Sequence, residues 1–278
     1  MTAPMSTTTR PDSAPGVAEQ RVTQLGVLNS ELTKLRSLRS TVFSLLAAAV
    51  VIVGLAVLVP VVTVTHWPPE DLQDLASFDP TTTSLSGVLL AQLAIGVLGV
   101  LLVTGEYSTG SIRSTFAAVP TRLPVLWAKT VVFAAVTLVV TIPSVLIAFF
   151  IGQSILTGQH IQTSFTQAGV ARAVFGAALY LTVVGVLGIG LGSLLRSTAA
   201  GISALFGLLF VLPIIVHFLP ASVSSAVDKY LPSSAGQAIT TVRVNPAALS
   251  PWAGFVVFCL YAAVALGAAA VMLRRRDA

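Results

Sequence analysis

Six long apolar stretches divide the chain, at residues 42–65, 85–103, 126–151, 173–195, 199–219 and 252–273. A helix needs roughly 20 apolar residues to cross a bilayer core of about 30 Å, and each stretch meets that length. None holds an Asp or Glu. The single basic residue inside them is Lys129, one turn into the third stretch, from where its ammonium can snorkel to the surface. Only Arg196, Ser197 and Thr198 separate the fourth stretch from the fifth, which predicts an apolar hairpin with a tight polar turn. Pro143 and Pro213 predict kinks. The pattern therefore predicts an all-α membrane protein with six transmembrane helices.

Composition supports the pattern. Charged residues make up 9% of 278 and the mean hydropathy is +0.92. An average soluble domain carries roughly a quarter charged residues, so an ordinary soluble domain is excluded. The one cysteine, Cys259, lies inside an apolar run and can form neither an internal disulfide nor a cysteine metal cluster.

Charge placement sets the expected orientation. Arg10, Arg21, Lys34, Arg36, Arg39, Arg113, Arg122, Lys129, Arg196 and Arg274–Arg276 fall on one side of a six-span topology. Only Arg172, Lys229 and Arg243 fall on the other, where the first connection carries Glu70, Asp71, Asp74 and Asp79. Basic connections stay in the cytoplasm, so both termini are expected there. Trp67, Trp127 and Trp252 stand at span edges, where indole rings anchor to the interface.

Three stretches outside the spans carry information. Residues 1–20, rich in Thr, Ser, Pro and Ala, predict a disordered tail. Residues 21–41 place Leu25, Leu28, Leu32 and Leu35 on one helical face, with Glu31, Lys34, Arg36 and Arg39 mostly off it. This predicts an amphipathic helix on the inner membrane surface leading into the six-helix membrane domain, residues 42–278; the plainer alternative is a topogenic flank. Residues 105–129 read GEYSTGSIRSTFAAVPTRLPVLWAK. Ser108 or Thr109 can cap a short helix over 110–118 that Pro120 ends. Glu106 follows the second span, and a carboxylate at that depth needs a cation, from Arg113 or from the entry helix. The long connection 220–251, with its alternating apolar and small residues, predicts short helices at or slightly within the outer surface that cap the molecule.

Catalytic constellations are missing from the sequence. His66, His160 and His217 are scattered, and no HExxH, GxSxG or P-loop pattern occurs. Gly185, Gly188 and Gly192 share one face of an apolar helix and read as a packing surface, within the chain or between copies. The spans hold no buried acid that an ion-coupled carrier would use. Energy for any uphill transport would come from a partner, and an uncharged interior suits an amphipathic or lipid-like substrate.

The entry segment ELTKLRSLRSTVF, the six spans and the phrase GEYSTGSIRSTFAAVPTRLPVLWAK together resemble the permease subunit of ABC-2 type ABC transporters, in the bacterial form whose ATPase is a separate chain. The resemblance covers the chain from residue 21. It implies a type V exporter-like fold in the bacterial plasma membrane. It also implies two ATPase copies that bind ATP and Mg, a second permease chain, most simply an identical one, contact with membrane lipids, and no enzyme activity, cofactor or nucleic acid in this chain itself. Glu106, Tyr107, Ser111, Arg113 and Phe116 would couple to the ATPase. Glu31, Lys34, Arg36 and Arg39 would form the interfacial helix beside it. Gln92, Phe206 and Phe210 would line the substrate path. A drug, lipid, peptide or glycan would be the cargo. The competing readings are a non-transporting membrane scaffold or regulator and, disfavoured by the missing catalytic groups, a lipid-modifying enzyme.

Overall fold

The computed structural model describes residues 24–37, 39–68, 78–110, 123–243 and 247–275. Among them the chain is helical, without strands. Helix α1 (Gln24–Ser37) leads into α2 (Arg39–Thr65). A short α3 (Pro80–Ser84), capped by Asp79, precedes α4 (Gly87–Ser108). Then come α5 (Leu123–Leu156) and α6 (Val170–Leu195). A broken span follows, made of α7 (Thr198–Phe206), a π-turn (Gly207–Val211) and α8 (Leu212–His217). Two short helices, α9 (Ala221–Asp228) and α10 (Pro232–Gln237), precede α11 (Pro251–Arg275).

Among the described residues, six helical segments are long and apolar enough to cross a membrane: Arg39–Thr65, Gly87–Ser108, Leu123–Gln159, Val170–Leu195, Thr198–His217 and Pro251–Arg275. They coincide with the six apolar runs, and the protein is a multi-pass membrane protein by this measure. The hairpin between the fourth and fifth spans is as tight as the sequence requires. Arg196 ends α6 in the left-handed region (φ 53°) and Ser197 begins α7, its hydroxyl accepting from the Ala200 amide at 3.4 Å. One boundary moves. The second span was expected to end at residue 103, with Ser108 or Thr109 starting a new helix. Instead α4 continues to Ser108, where the Ser108 and Thr109 hydroxyls donate to the Gly105 carbonyl, one of the helix's terminal acceptors. Gly110, at φ 73°, then turns the chain away. The expected helix over 110–118 falls almost wholly outside the described residues, as does the 1–20 tail.

The core is built on α4 and α6, which are 67% and 72% buried over their most apolar windows, against 22% for the fifth span. These two helices run parallel and touch through glycines. A Cβ on Gly188 would lie 2.5 Å from the Gly96 carbonyl oxygen, one on Gly192 3.0 Å from that of Val100, and one on Gly99 would collide with the Gly185 carbonyl. Gly185 also receives the Phe133 ring of α5. The small-residue face therefore packs inside the chain. Around this pair, α2 presents Leu45, Ala48, Ile52 and Ala56 inward and leaves Phe43, Leu46, Val50 and Leu58 exposed.

The long connection after α8 forms the expected short helices, and the second of them lies within the surface. Pro232, Ser233, Ala235 and Gly236 of α10 are buried, Gly236 against the rings of Tyr180 and Phe258. Arg172 secures the end of this segment: its guanidinium donates to the Ile239 carbonyl at 3.0 Å and the Thr241 carbonyl at 2.9 Å. Charge-assisted bonds of this kind are worth about 1.5–3 kcal/mol each way they are lost. Arg172→Met is expected to lower stability by about 2 kcal/mol and to raise amide exchange at 231–241 selectively, measured by exchange mass spectrometry in detergent.

Candidate functional site

The only basic residue of the apolar runs lies at the centre of a four-charge cluster. Lys129, in the second turn of α5, is 3% exposed. It does not snorkel to the surface. Its ammonium donates to Glu31 Oε2 at 2.7 Å and to Glu106 Oε1 at 2.8 Å. Lys34 closes the arrangement, donating to Glu31 Oε1 at 2.7 Å and reaching Glu106 Oε1 at 3.4 Å. Two acids and two bases thus alternate across three helices, α1, α4 and α5.

The sequence folds this way for local reasons. Val27, Glu31 and Leu35 are spaced at four-residue steps, so they share the face of α1 that packs against the bundle, and all three are buried. Leu28 and Leu32 flank them. Glu31, at 1% exposure, is thus carried into the apolar contact and needs a cation there. Lys129 supplies it. Burial pushes the Glu31 carboxyl up, but the Lys129 charge and the hydrogen bonds from Lys129 and Lys34 outweigh it and hold the group below its usual range. Burial likewise pushes Lys34 down, and its bond to Glu31 and the charges of Glu106 and Glu31 outweigh that and hold it above its usual range.

These directions fix a pH window. A lowered carboxyl stabilises at every pH above its unfolded value, 4.5, and that stability is lost as pH falls through the lowered folded value. A raised amine stabilises at every pH below 10.5 and fails only above it. A nitroxide at Asn29, on the exposed side of α1, is expected to keep one spectral line shape from about pH 6 to about pH 9 and to gain mobility only in acid below the ordinary Glu31 value.

Glu106 sits in the last turn of α4, and its Oε2 is buried without a hydrogen-bond partner among the described residues. Beside it, the Tyr107 ring lies under the Arg196 guanidinium at 5.3 Å, and the Thr198 hydroxyl donates to Thr104 at 2.9 Å. The end of α4 is therefore gripped on one side by α1 and α5 and on the other by the α6–α7 turn. Glu106 and Lys129, which bracket the connection 109–122, are joined directly to each other.

Of the residues singled out in the sequence, the structure brings together Glu31, Lys34 and Glu106, with Tyr107 alongside. Arg39 is exposed at the start of α2. Ser111, Arg113 and Phe116, and the side chain of Arg36, lie outside the described residues. Gln92 is placed differently from Phe206 and Phe210. It is 1% exposed and accepts a hydrogen bond from the Tyr180 hydroxyl inside the bundle, whereas Phe206 is 47% exposed and stacks on Phe210 at 4.9 Å. The three share no surface within one chain. Sequence reasoning missed Lys129 as a cluster member and Gln153 altogether. Gln153 is buried at the opposite end, donating to Ser84 Oγ and the Pro80 carbonyl and accepting from the Thr163 amide. Gln153 carried no sequence signal beyond being polar near a span end.

Among the described residues, no group of three His, Cys, Asp or Glu side chains could hold a metal ion. No protein-family model matches the chain, and no curated protein is similar to it.

Proposed function

We propose that the chain is the membrane permease subunit of an ATP-driven exporter of the ABC-2 type, moving an amphipathic or lipid-like compound. The observation that carries this reading is the charge cluster, because it fastens a surface helix to both ends of one connection. On this reading α1 and the connection 109–122 lie at the cytoplasmic face of a bacterial plasma membrane, with both termini on that side. A partner ATPase, present in two copies and binding ATP and Mg, pushes the connection. Glu106, Lys129 and Glu31 make α1 and the ends of α4 and α5 move as one body. The contacts Tyr107–Arg196 and Thr104–Thr198 pass the movement to the fifth span. That span is the least packed of the six, and it is interrupted by a π-turn. Two chains around a common axis would place Phe206 and Phe210 beside the path. Coupling of this kind needs differential contacts in two partner states, which a jointly anchored loop can deliver.

The test is purification of the tagged chain in mild detergent, followed by mass spectrometry and an ATPase assay. A stoichiometric ATPase subunit is expected. In the reconstituted complex, Glu106→Gln is expected to keep ATP hydrolysis within about two-fold while transport falls about ten-fold or more. A chain that purifies alone and without hydrolysis would instead favour the scaffold reading.

A further inference from the structure

The heptapeptides GLAVLVP (54–60) in α2 and GLLFVLP (207–213) in the fifth span share one pattern, a glycine, five apolar residues and a proline. They fold differently. The first lies inside an unbroken α-helix. The second opens as the π-turn Gly207–Val211, where the Leu212 amide donates to the Gly207 carbonyl five residues back. Pro143 also sits inside an unbroken α-helix, α5.

Both forms answer the same local problem. Pro213 has no N–H, and in a regular helix its ring presses on the Leu209 carbonyl. A π-turn relieves that contact by inserting one residue. An α-helix tolerates it, as at Pro60 and Pro143. Packing decides between the two. In α2, Ile52, Ala56 and Pro60 are buried at four-residue steps, a spacing that keeps them on one face in α form. In the fifth span Leu205, Leu209 and Val216 are buried, whereas Ile214, Ile215 and Phe218 of the outer half are exposed. An α form would advance that half by one residue, about 100° of rotation and about 1.5 Å of rise. Ile215 would then take the place of Val216 against the bundle. Both are apolar and β-branched and differ by one methylene, so either register buries an acceptable side chain. The next helix, α9, packs on α8 and is exposed at Val223 and Val227, so it can follow.

We propose that the π-turn is a register switch. The fifth span exchanges between the π form, with Val216 buried, and an α form with Ile215 in its place, and α8 and α9 turn together. The switch rests on the fifth span alone and holds whether or not the chain is an exporter.

A pair of nitroxides reads the register. Ile214→Cys and Val256→Cys, both at exposed positions, are spin-labelled in a Cys259→Ser background. Their separation is measured by pulsed dipolar spectroscopy on the full chain in lipid nanodiscs. Pro213→Ala restores the N–H and is expected to raise the α-to-π ratio about 100-fold, the weight of a proline inside a helix. That raises a minor form of about 1–10% to half of the molecules or more. The separation is expected to move by up to about 8 Å, the chord of about 100° on a helix about 11 Å across. Deleting Leu208 from the same variant removes the inserted residue and is expected to restore the parent separation. Val216→Trp overfills the buried place and is expected to give the same displacement as Pro213→Ala; it serves where the alanine variant fails to fold. The parent separation in both Pro213→Ala and Val216→Trp would mean a fixed π-turn and overturns the proposal. So does a displacement that the Leu208 deletion leaves in place.

Discussion

Lys129→Met is expected to destabilise the folded chain by about 3 kcal/mol, because it leaves the buried Glu31 carboxylate facing the half-buried Glu106 without their shared cation. Glu31 is 1% exposed and its Oε2 has Lys129 as its partner at 2.7 Å. Lys34 cannot take over both acids. It is more exposed, and it reaches Glu106 only at 3.4 Å. The methionine keeps the length of the stem and its packing, so the loss is electrostatic. The discriminating experiment adds Glu31→Gln and Glu106→Gln to Lys129→Met. Removing these three charges takes away the uncompensated burial together with the attraction and leaves of the four only Lys34, whose side chain is 39% exposed; replacing a buried ion network is often neutral. The triple variant is expected to recover most of the thermal stability in detergent while losing the firm attachment of α1. Stability and attachment then separate, as a line shape at Asn29 would report. If Lys129→Met melts like the parent protein, the cluster contributes little, and the mechanical link in the proposed function loses its support.

The cluster was half legible in the sequence. Glu31 and Lys34 are an i,i+3 pair, and Glu106 stood at a depth that demanded a cation. What could not be read was that Lys129 would turn inward. A lysine one turn inside a span snorkels when its neighbours are lipid and water. Here α1 covers that position, and a covered lysine finds acids instead. The clue was Glu31 itself, which lies between Leu28, Leu32 and Leu35 and therefore enters the buried face. Periodicity placed it mostly off the apolar face of Leu25, Leu28, Leu32 and Leu35, whereas the structure buries it at 1% exposure alongside Val27 and Leu35.

The spans were legible because each is a continuous apolar run, and length alone identifies them. Their burial was not, since a lipid-facing valine and a core valine read alike in sequence. Gln92 illustrates the limit. A lone polar residue in a span suits a substrate path or a private hydrogen bond, and only the placement of Tyr180 decides for the bond inside this chain. α10 is a second case. Its residues Pro232, Ser233, Ala235 and Gly236 read as part of a short helix at or slightly within the surface, but how far they sink was not legible: their smallness lets Gly236 meet the rings of Tyr180 and Phe258.

Gly188→Leu is expected to separate α4 from α6 and to cost more than about 3 kcal/mol, the upper range of overpacking in a core. The reason is the identity of the obstacle. A Cβ at this position already lies 2.5 Å from the Gly96 carbonyl oxygen and 3.2 Å from the Val100 amide nitrogen. A side chain in the way can rotate, but a helical backbone moves only with its whole helix. The displaced helix is α4, whose other end carries Glu106, so the strain reaches the charge cluster as well as the core. Gly54→Leu is the matched control. It places the same side chain in the interior of α2, where a Cβ meets nothing within 4 Å. There the change is expected to be neutral or to stabilise by up to about 1 kcal/mol, since a helical glycine is conformationally costly. Thermal unfolding of both variants in one detergent reads the contrast. Equal melting temperatures would mean that α4 and α6 are not in glycine-mediated contact. A loss confined to Gly188→Leu would place that contact at the centre of the fold, where the α4–α6 pair holds the span that bears Glu106.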